Sequence, residues 1–312
     1  MKKPVLLVLN ILLAAQRATI AEHFDIVDGA KAQRADAIAA RGAEVQVVLT
    51  VGAVGLTAAE MDAMPRLELV CTLGVGYEMV DVAHARAKGI ALGNVAGAND
   101  DAVADHAMAL LLSAVRCVTQ YDKAARAGVE RFALAPPMQV TRKRVGILGM
   151  GAIGRKIAER CGGFGMQVGY HNRKPRTDVP ATYAYYPDAL ALAAWCDFFI
   201  LAAPGGAETR HVAGTRLFDA LGPRGYIVNI ARGSLVDTDA LADALRDKRI
   251  AGAALDVFES EPELPAQLLE FPQVVITPHV AGRSPESVEE TVARFLANAE
   301  GHFAGRGVLY PI

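Results

Sequence analysis

Three short stretches in the last third of the chain carry residues able to do acid–base chemistry on a carboxylate-bearing substrate. They are NIARG (229–233) with Arg232, LDVFESEP (255–262) with Glu261, and TPHVAG (277–282) with His279. An arginine fork can clamp a carboxylate and polarise a neighbouring ketone. A histidine can supply a proton near neutral pH, and a glutamate beside it favours the imidazolium and holds the ring. The set suits reduction of a 2-oxo acid: Arg232 holds the substrate, and His279 gives a proton as hydride arrives from a nicotinamide. Taken singly, each has an ordinary explanation. An Arg after a strand is usually a surface charge, a Glu before Pro a turn residue, and a His after Pro a backbone cap. Specificity comes from their order behind a nucleotide-binding signature.

That signature is RVGILGMGAIG (144–154), which reads as a strand, a tight glycine turn and a helix start in one block. Gly149 suits the turn, Gly151 lets backbone approach a pyrophosphate, and Gly154 permits close helix–strand contact. The free amides at the start of the following helix favour the diphosphate. The next strand, QVGYH (167–171), ends in NRKPR (172–176). An NAD site normally carries an acid there for the adenosine ribose. Asn172 removes the repulsion an acid would exert on a 2′-phosphate, Arg173 can grip that phosphate, and Lys174 adds a point charge. Arg176 is near enough to help unless Pro175 directs it away. A solvated basic turn is the bland alternative. The missing acid together with the added cations favours NADP(H), with NAD(H) as the second cofactor.

Such residues need a scaffold that gathers strand ends. Strands are expected at 5–9, 24–28, 45–50, 67–73 and 90–94, with helical patterns between them at 15–24 and 58–64. A second series is expected at 143–149, 167–171, 198–204, 225–231, 252–258 and 274–278. Alternating strands and helices predict an α/β chain of two doubly wound parallel-sheet domains, with ligands beyond the carboxyl ends of the strands. Residues 100–128 read as one long helix, with Val103, Ala107, Leu110, Leu111, Ala114 and Val118 on one face, and 285–305 as another.

The 312 residues are comfortable for two domains. With 52% hydrophobic and 21% charged residues and a net charge of −2, nothing invites nucleic acid or an anionic membrane. The cluster TRKR (141–144) is too short to change that. Four scattered cysteines form no CxxC pair, so no zinc site is expected and a reduced cytoplasmic chain is the simpler reading. The start, MKKPVLLVLNILLAA, has the outline of a secretory signal. Pro4 and Asn10 interrupt it, however, and VLLVL also fits a buried strand. No run approaches the length of a spanning helix.

With these motifs in place, the chain resembles the D-isomer-specific 2-hydroxyacid dehydrogenase family over nearly its full length. The likeness is carried by LGVGYEMVD (73–81), NDDAVADHAMALLL (99–112), GILGMGAIG, PGGAETRH (204–211), NIARGSLVD (229–237), LDVFESEP and TPHVAG. Within the family it looks most similar to the NADPH-preferring glyoxylate, hydroxypyruvate and hydroxyphenylpyruvate reductases. The resemblance implies a discontinuous, flavodoxin-like substrate domain (1–99 and 283–312) and a Rossmann nucleotide domain (100–282). It implies Arg232, Glu261 and His279 as catalytic residues. Substrate binding is carried onto Leu73, Gly74, Val75 and Gly76 with Arg232 and His279, through the Val75 and Gly76 amides in particular. Cofactor binding is carried onto Gly149, Met150, Gly151, Ala152, Ile153, Gly154, Asn172, Arg173, Lys174, Ala203, Pro204, Thr209, Ile230, Ala231, Arg232, Asp256, His279 and Gly282. Asp256 is expected near the nicotinamide carboxamide.

A homodimer is also implied, using the helix after Asp100. The expected activity is NADPH-dependent reduction of glyoxylate or hydroxypyruvate to the D-hydroxy acid. An aryl-pyruvate reductase and a non-catalytic nucleotide-sensing protein stand as alternatives. Two departures bear on this. RAGVERF (126–132) lacks the Trp of the RxGxW pattern, leaving Phe132 as a stand-in. Arg283 puts a cation where a small or polar residue is expected; it could meet an acidic group on the substrate, touch the cofactor or face water.

Overall fold

The computed structural model describes residues 3–312. By its contacts the chain divides into two compact units, residues 1–99 with 283–312, and residues 100–282.

In the first unit, strands β1 (Val5–Val8), β2 (Asp25–Asp28), β3 (Val45–Thr50), β4 (Leu69–Thr72) and β5 (Ala91–Gly93) alternate with helices α1 (Ala14–His23), α2 (Arg34–Arg41), α3 (Ala58–Asp62) and α4 (Val82–Ala87). All pairings are parallel, in the order β2-β1-β3-β4-β5. Helices cover both faces of such a sheet, so its strands are continuous apolar runs rather than alternating ones. Leu6, Leu7, Val47, Val48 and Leu49 are accordingly fully buried. The VLLV run thus lies in the sheet interior, where the strand reading placed it.

The second unit opens with a correction. Residues 100–128 do not make one helix. Helix α5 (Asp100–Val115) ends and α6 (Val118–Arg126) begins at an angle of 58°. The break falls at Cys117, whose φ of 54° is left-handed and stops the i→i−4 ladder. Residues Ala107, Leu110, Leu111 and Ala114 of α5 are buried in the unit's core, whereas α6 buries none of its residues. Helical spacing could not reveal this, because the apolar pattern runs through the break. Among the described residues no single helix is long and apolar enough to cross a membrane; only the bent pair α5–α6 reaches that length jointly.

Strands β6 (Arg144–Leu148), β7 (Gln167–His171), β8 (Ala184–Tyr185), β9 (Phe198–Leu201), β10 (Tyr226–Asn229), β11 (Gly252–Leu255) and β12 (Val274–Ile276) then form a parallel sheet ordered β12-β11-β10-β9-β6-β7-β8. The two-residue β8 was not expected, being too short to show periodicity. Helix α7 (Ala152–Gly163) packs with α5 on one face, while α8 (Ala189–Trp195), α9 (Thr215–Leu221) and α10 (Thr238–Arg246) serve the other. Strand order reverses between β6 and β9, so a crevice opens at the carboxyl end of β6. Helix α11 (Pro285–Phe303) returns to the first unit and packs on α1, capped by Ser284, which accepts from the Ser287 amide.

Candidate active site

The glycine loop sits at that reversal. Gly149 has φ 99°, and a Cβ there would lie 2.6 Å from the Ala203 backbone nitrogen. A Cβ on Gly154 would lie 2.1 Å from the Gly149 carbonyl oxygen, so helix and turn touch as only glycines allow. Gly151 faces the opposite condition. A Cβ there meets nothing within 4 Å, and no side chain caps the amides that open α7. Tight backbone behind and open backbone in front form a cradle that fits a diphosphate. Met150, Ala152 and Ile153 complete the loop; Ala203 and Pro204 follow β9, and Thr209 Oγ1 donates to the Pro204 carbonyl at 2.9 Å.

Beyond β7, Asn172 Oδ1 accepts from the Met150 amide at 2.6 Å, so this side chain braces the glycine loop as well as replacing the usual acid. Arg173 is 89% exposed, and its nearest opposite charge is Glu208 at 3.8 Å. Lys174 is exposed beside it. Arg176 is turned away: it grips Asp178 with two hydrogen bonds, and Asp178 also holds Arg155 at 2.6 Å. Those partners drive the Asp178 carboxyl down to about 2. Of the cations in this turn, Arg173 and Lys174 stand open to an anion.

The acid–base residues come from three neighbouring strand ends. After β10, the fully buried Asn229 folds its own turn, accepting from the Ala231 amide at 3.0 Å and donating to the Arg232 carbonyl at 2.8 Å. The Arg232 guanidinium then lies over the Ala231 carbonyl at 2.7 Å. After β11, Glu261 is fixed by the Phe258 amide, which donates to its Oε1 at 3.0 Å. After β12, His279 Nδ1 meets Glu261 Oε2 at 2.8 Å. The ring's other nitrogen, Nε2, is therefore the one available to a substrate, on a side chain that is 51% exposed.

His279 itself has φ 52°, a left-handed conformation uncommon for a non-glycine residue. Asp256 holds it there. Its carbonyl accepts from the His279 amide at 2.8 Å, and its carboxylate, 1% exposed, accepts from the Val280 and Ala281 amides and the Thr277 hydroxyl. His106 of α5 closes the group, with Nε2 at 2.9 Å from Thr277 Oγ1. The hydrogen bond that His279 donates to Glu261 raises its pKa above the ordinary value, against the lowering effect of burial. The Asp256 charge adds to the rise and the Arg232 charge opposes it.

Arg232, Glu261, His279 and Asp256 are therefore brought together, with Ile230, Ala231 and Gly282 in the same turns. Leu73, Gly74, Val75 and Gly76 lie in the other unit, in the loop after β4, where Asn94 Nδ2 donates to the Val75 carbonyl at 3.3 Å. Phe132 is 84% exposed under the Arg131 guanidinium, and Arg283 is exposed. Cys71, Cys161 and Cys196 are buried thiols pushed up to about 12, unsuited to nucleophilic work. Sequence reasoning missed the bracing roles of Asn172 and Asn229 and the contact of His106; each is a polar residue beside a motif whose partner is distant in the chain.

Residues 108–281 match the family described as D-isomer specific 2-hydroxyacid dehydrogenase, NAD binding domain. The chain is 38% identical to the 2-ketogluconate reductase of Gluconobacter oxydans, over 86% of each chain. It is 37% identical to the hydroxyphenylpyruvate reductase of Plectranthus scutellarioides, over 90% of this chain and 89% of that one. The solved NADPH-dependent glyoxylate/hydroxypyruvate reductase of Sinorhizobium meliloti, in complex with NADP and malonate, matches with a TM-score of 0.91 and 34% identity, covering 100% of this chain and 97% of that one. The chain belongs to the D-isomer-specific 2-hydroxyacid dehydrogenase family and is an oxidoreductase of that class.

Proposed function

We propose that the protein reduces a small 2-oxo acid, glyoxylate or hydroxypyruvate, to the 2-hydroxy acid (D where chiral), with NADPH as preferred donor and NADH as second choice. The observation that carries this is the His279–Glu261 pair beside Arg232 at neighbouring strand ends. When bound, the nicotinamide cofactor supplies the hydride. Arg232 holds the substrate carboxylate and polarises its ketone, and His279 gives its Nε2 proton to the carbonyl oxygen. Glu261 keeps His279 charged and oriented, so the acid is ready near neutral pH. Asp256 holds the loop in the conformation that presents His279.

Residues 100–282 act as the cofactor domain and the remainder as the substrate domain, within which the amides of Val75 and Gly76 are the groups suited to a carboxylate. Gly149–Gly154 would receive the diphosphate, and Arg173 with Lys174 the 2′-phosphate. The S. meliloti neighbour, described as NADPH-dependent, supports that preference. The reading also includes a cytoplasmic homodimer. Exposed Val118, Val129 and Phe132 around α6 support the dimer.

The likeness to a hydroxyphenylpyruvate reductase favours aryl-pyruvates as the second substrate class. Steady-state NADPH oxidation across glyoxylate, hydroxypyruvate, hydroxyphenylpyruvate and 2-ketogluconate tests the assignment. The highest kcat/KM is expected with one of the first two. A clear preference for the aromatic acid would move the assignment to the second class, and no turnover with any of them would overturn the enzymatic reading.

A further inference from the structure

The segment LDVFESEP presents two glutamates to two histidines. Glu261 serves His279, as described. Glu259, two residues earlier, meets His211: its Oε1 accepts from His211 Nε2 at 2.7 Å. The other Glu259 oxygen accepts from the Thr238 hydroxyl at 3.2 Å and lies 3.5 Å from the Thr238 amide. His211 Nδ1 lies 3.7 Å from Asp237, and Arg210 lies 3.7 Å from Glu259. Like His279, His211 is held in the left-handed region, with φ 52°.

What this second pair joins is informative. His211 ends the loop 204–211 after β9, and Glu259 lies in the loop after β11. Between them runs the loop after β10, which carries Arg232. That middle loop is tied to the first by three backbone bonds: His211 donates to the Ser234 carbonyl, Ala213 to Leu235, and Asp237 to Ala213. It is also wedged from both sides. A Cβ on Gly233 would lie 2.2 Å from the Phe258 carbonyl carbon, and a Cβ on Gly205 would lie 3.1 Å from Arg232 Cγ. The Arg232 loop is thus gripped between two others, and the His211–Glu259 bond spans the outer pair.

We propose that His211 and Glu259 form a clasp that positions Arg232 for the substrate carboxylate. They are positioning residues, since neither side chain is placed at the reacting atoms. The proposal rests on the 2-oxo acid reading for what Arg232 binds, but the clasp itself does not. A misplacement of about 1 Å at a substrate-holding group can cost up to about a hundredfold in rate, so a bond at the rim can matter at the centre.

The test uses His211→Ala, Glu259→Ala, the double variant and His211→Gln in the full chain. Each single alanine variant should lower kcat/KM for glyoxylate about fivefold, with a raised KM, while the dissociation constant for NADPH stays within about twofold. The double variant should be no worse than either single one, because the same bond is lost. His211→Gln, which keeps an N–H donor, should recover most of the loss. Amide hydrogen exchange over residues 231–236 should quicken in both alanine variants. Unchanged KM with only a lower melting temperature, or multiplied effects in the double variant, would overturn the proposal. If the wild type reduces no 2-oxo acid, the functional reading fails, and exchange still decides the clasp: unaltered exchange over 231–236 would sink it.

Discussion

The loop that carries His279 and the turn that carries Arg173 lie at the same carboxyl edge of one sheet, yet they are built in opposite ways. Around His279 the surrounding polar groups hold one another, leaving the ring Nε2 open. The Asp256 carboxylate is buried and accepts three hydrogen bonds, Glu261 is held by a backbone amide, and the histidine backbone is held in a left-handed conformation. Around Arg173 almost nothing is assigned: the side chain projects into solvent and, among the described residues, meets Glu208 alone as an opposite charge, at 3.8 Å. The difference suits the two tasks proposed for them. A proton donor must be in place before the substrate arrives, because misorientation costs rate directly. A group that recognises an exposed phosphate can gain its order from the phosphate itself, by a charge-assisted bond stronger than its weak contact with Glu208.

The contrast can be broken in stages. Arg232→Ala removes the group assigned to the substrate carboxylate and should lower kcat/KM by about a thousandfold, the upper range for removing one electrostatic stabiliser. A loss under tenfold, measured with glyoxylate at saturating NADPH, would exclude it from that role. Arg173→Ala with Lys174→Ala should raise the KM for NADPH about tenfold and leave NADH kinetics nearly alone. Equal damage to both cofactors would mean that the turn does not read the 2′-phosphate. Glu261→Gln should act on pH more than on maximal rate. In the proposed role His279 must be protonated to reduce, and the hydrogen bond to Glu261 raises its pKa, so activity is expected to fall as pH rises through that raised value. Without the carboxylate the alkaline limb should move to lower pH. An unmoved limb would sever the pair. The smallest effect sharpens the open turn: Glu208→Gln frees Arg173 from its one opposing charge and should lower the KM for NADPH about twofold at low salt, with no change for NADH.

Much of this was legible in the sequence, for physical reasons that differ by region. The strands were readable because a doubly covered parallel sheet demands unbroken apolar runs, as in VLLV and FFIL. The glycine loop was readable because its three glycines answer separate steric needs, at Gly149, Gly151 and Gly154. The break at Cys117 was not, since a single left-handed residue leaves the apolar pattern on either side intact. Nor was the fate of Arg176, decided by Asp178 two residues on rather than by Pro175. The bracing bond from Asn172 to Met150 joins residues 22 apart, and the Glu259–His211 bond joins residues 48 apart. Spacing along a chain carries no trace of such meetings; only the folded strand order creates them.

The central proposal is His279 as the proton donor of an NADPH-linked reduction. The most direct test compares wild type with His279→Asn, following NADPH oxidation with glyoxylate and, separately, NADPH binding by fluorescence. Wild type should turn over, and the variant should bind NADPH with similar affinity while kcat falls by at least about a hundredfold, the size expected for loss of a general acid. Near wild-type turnover by the variant would contradict the role given to His279, and NADPH binding without turnover by the wild type would contradict the reductase assignment itself.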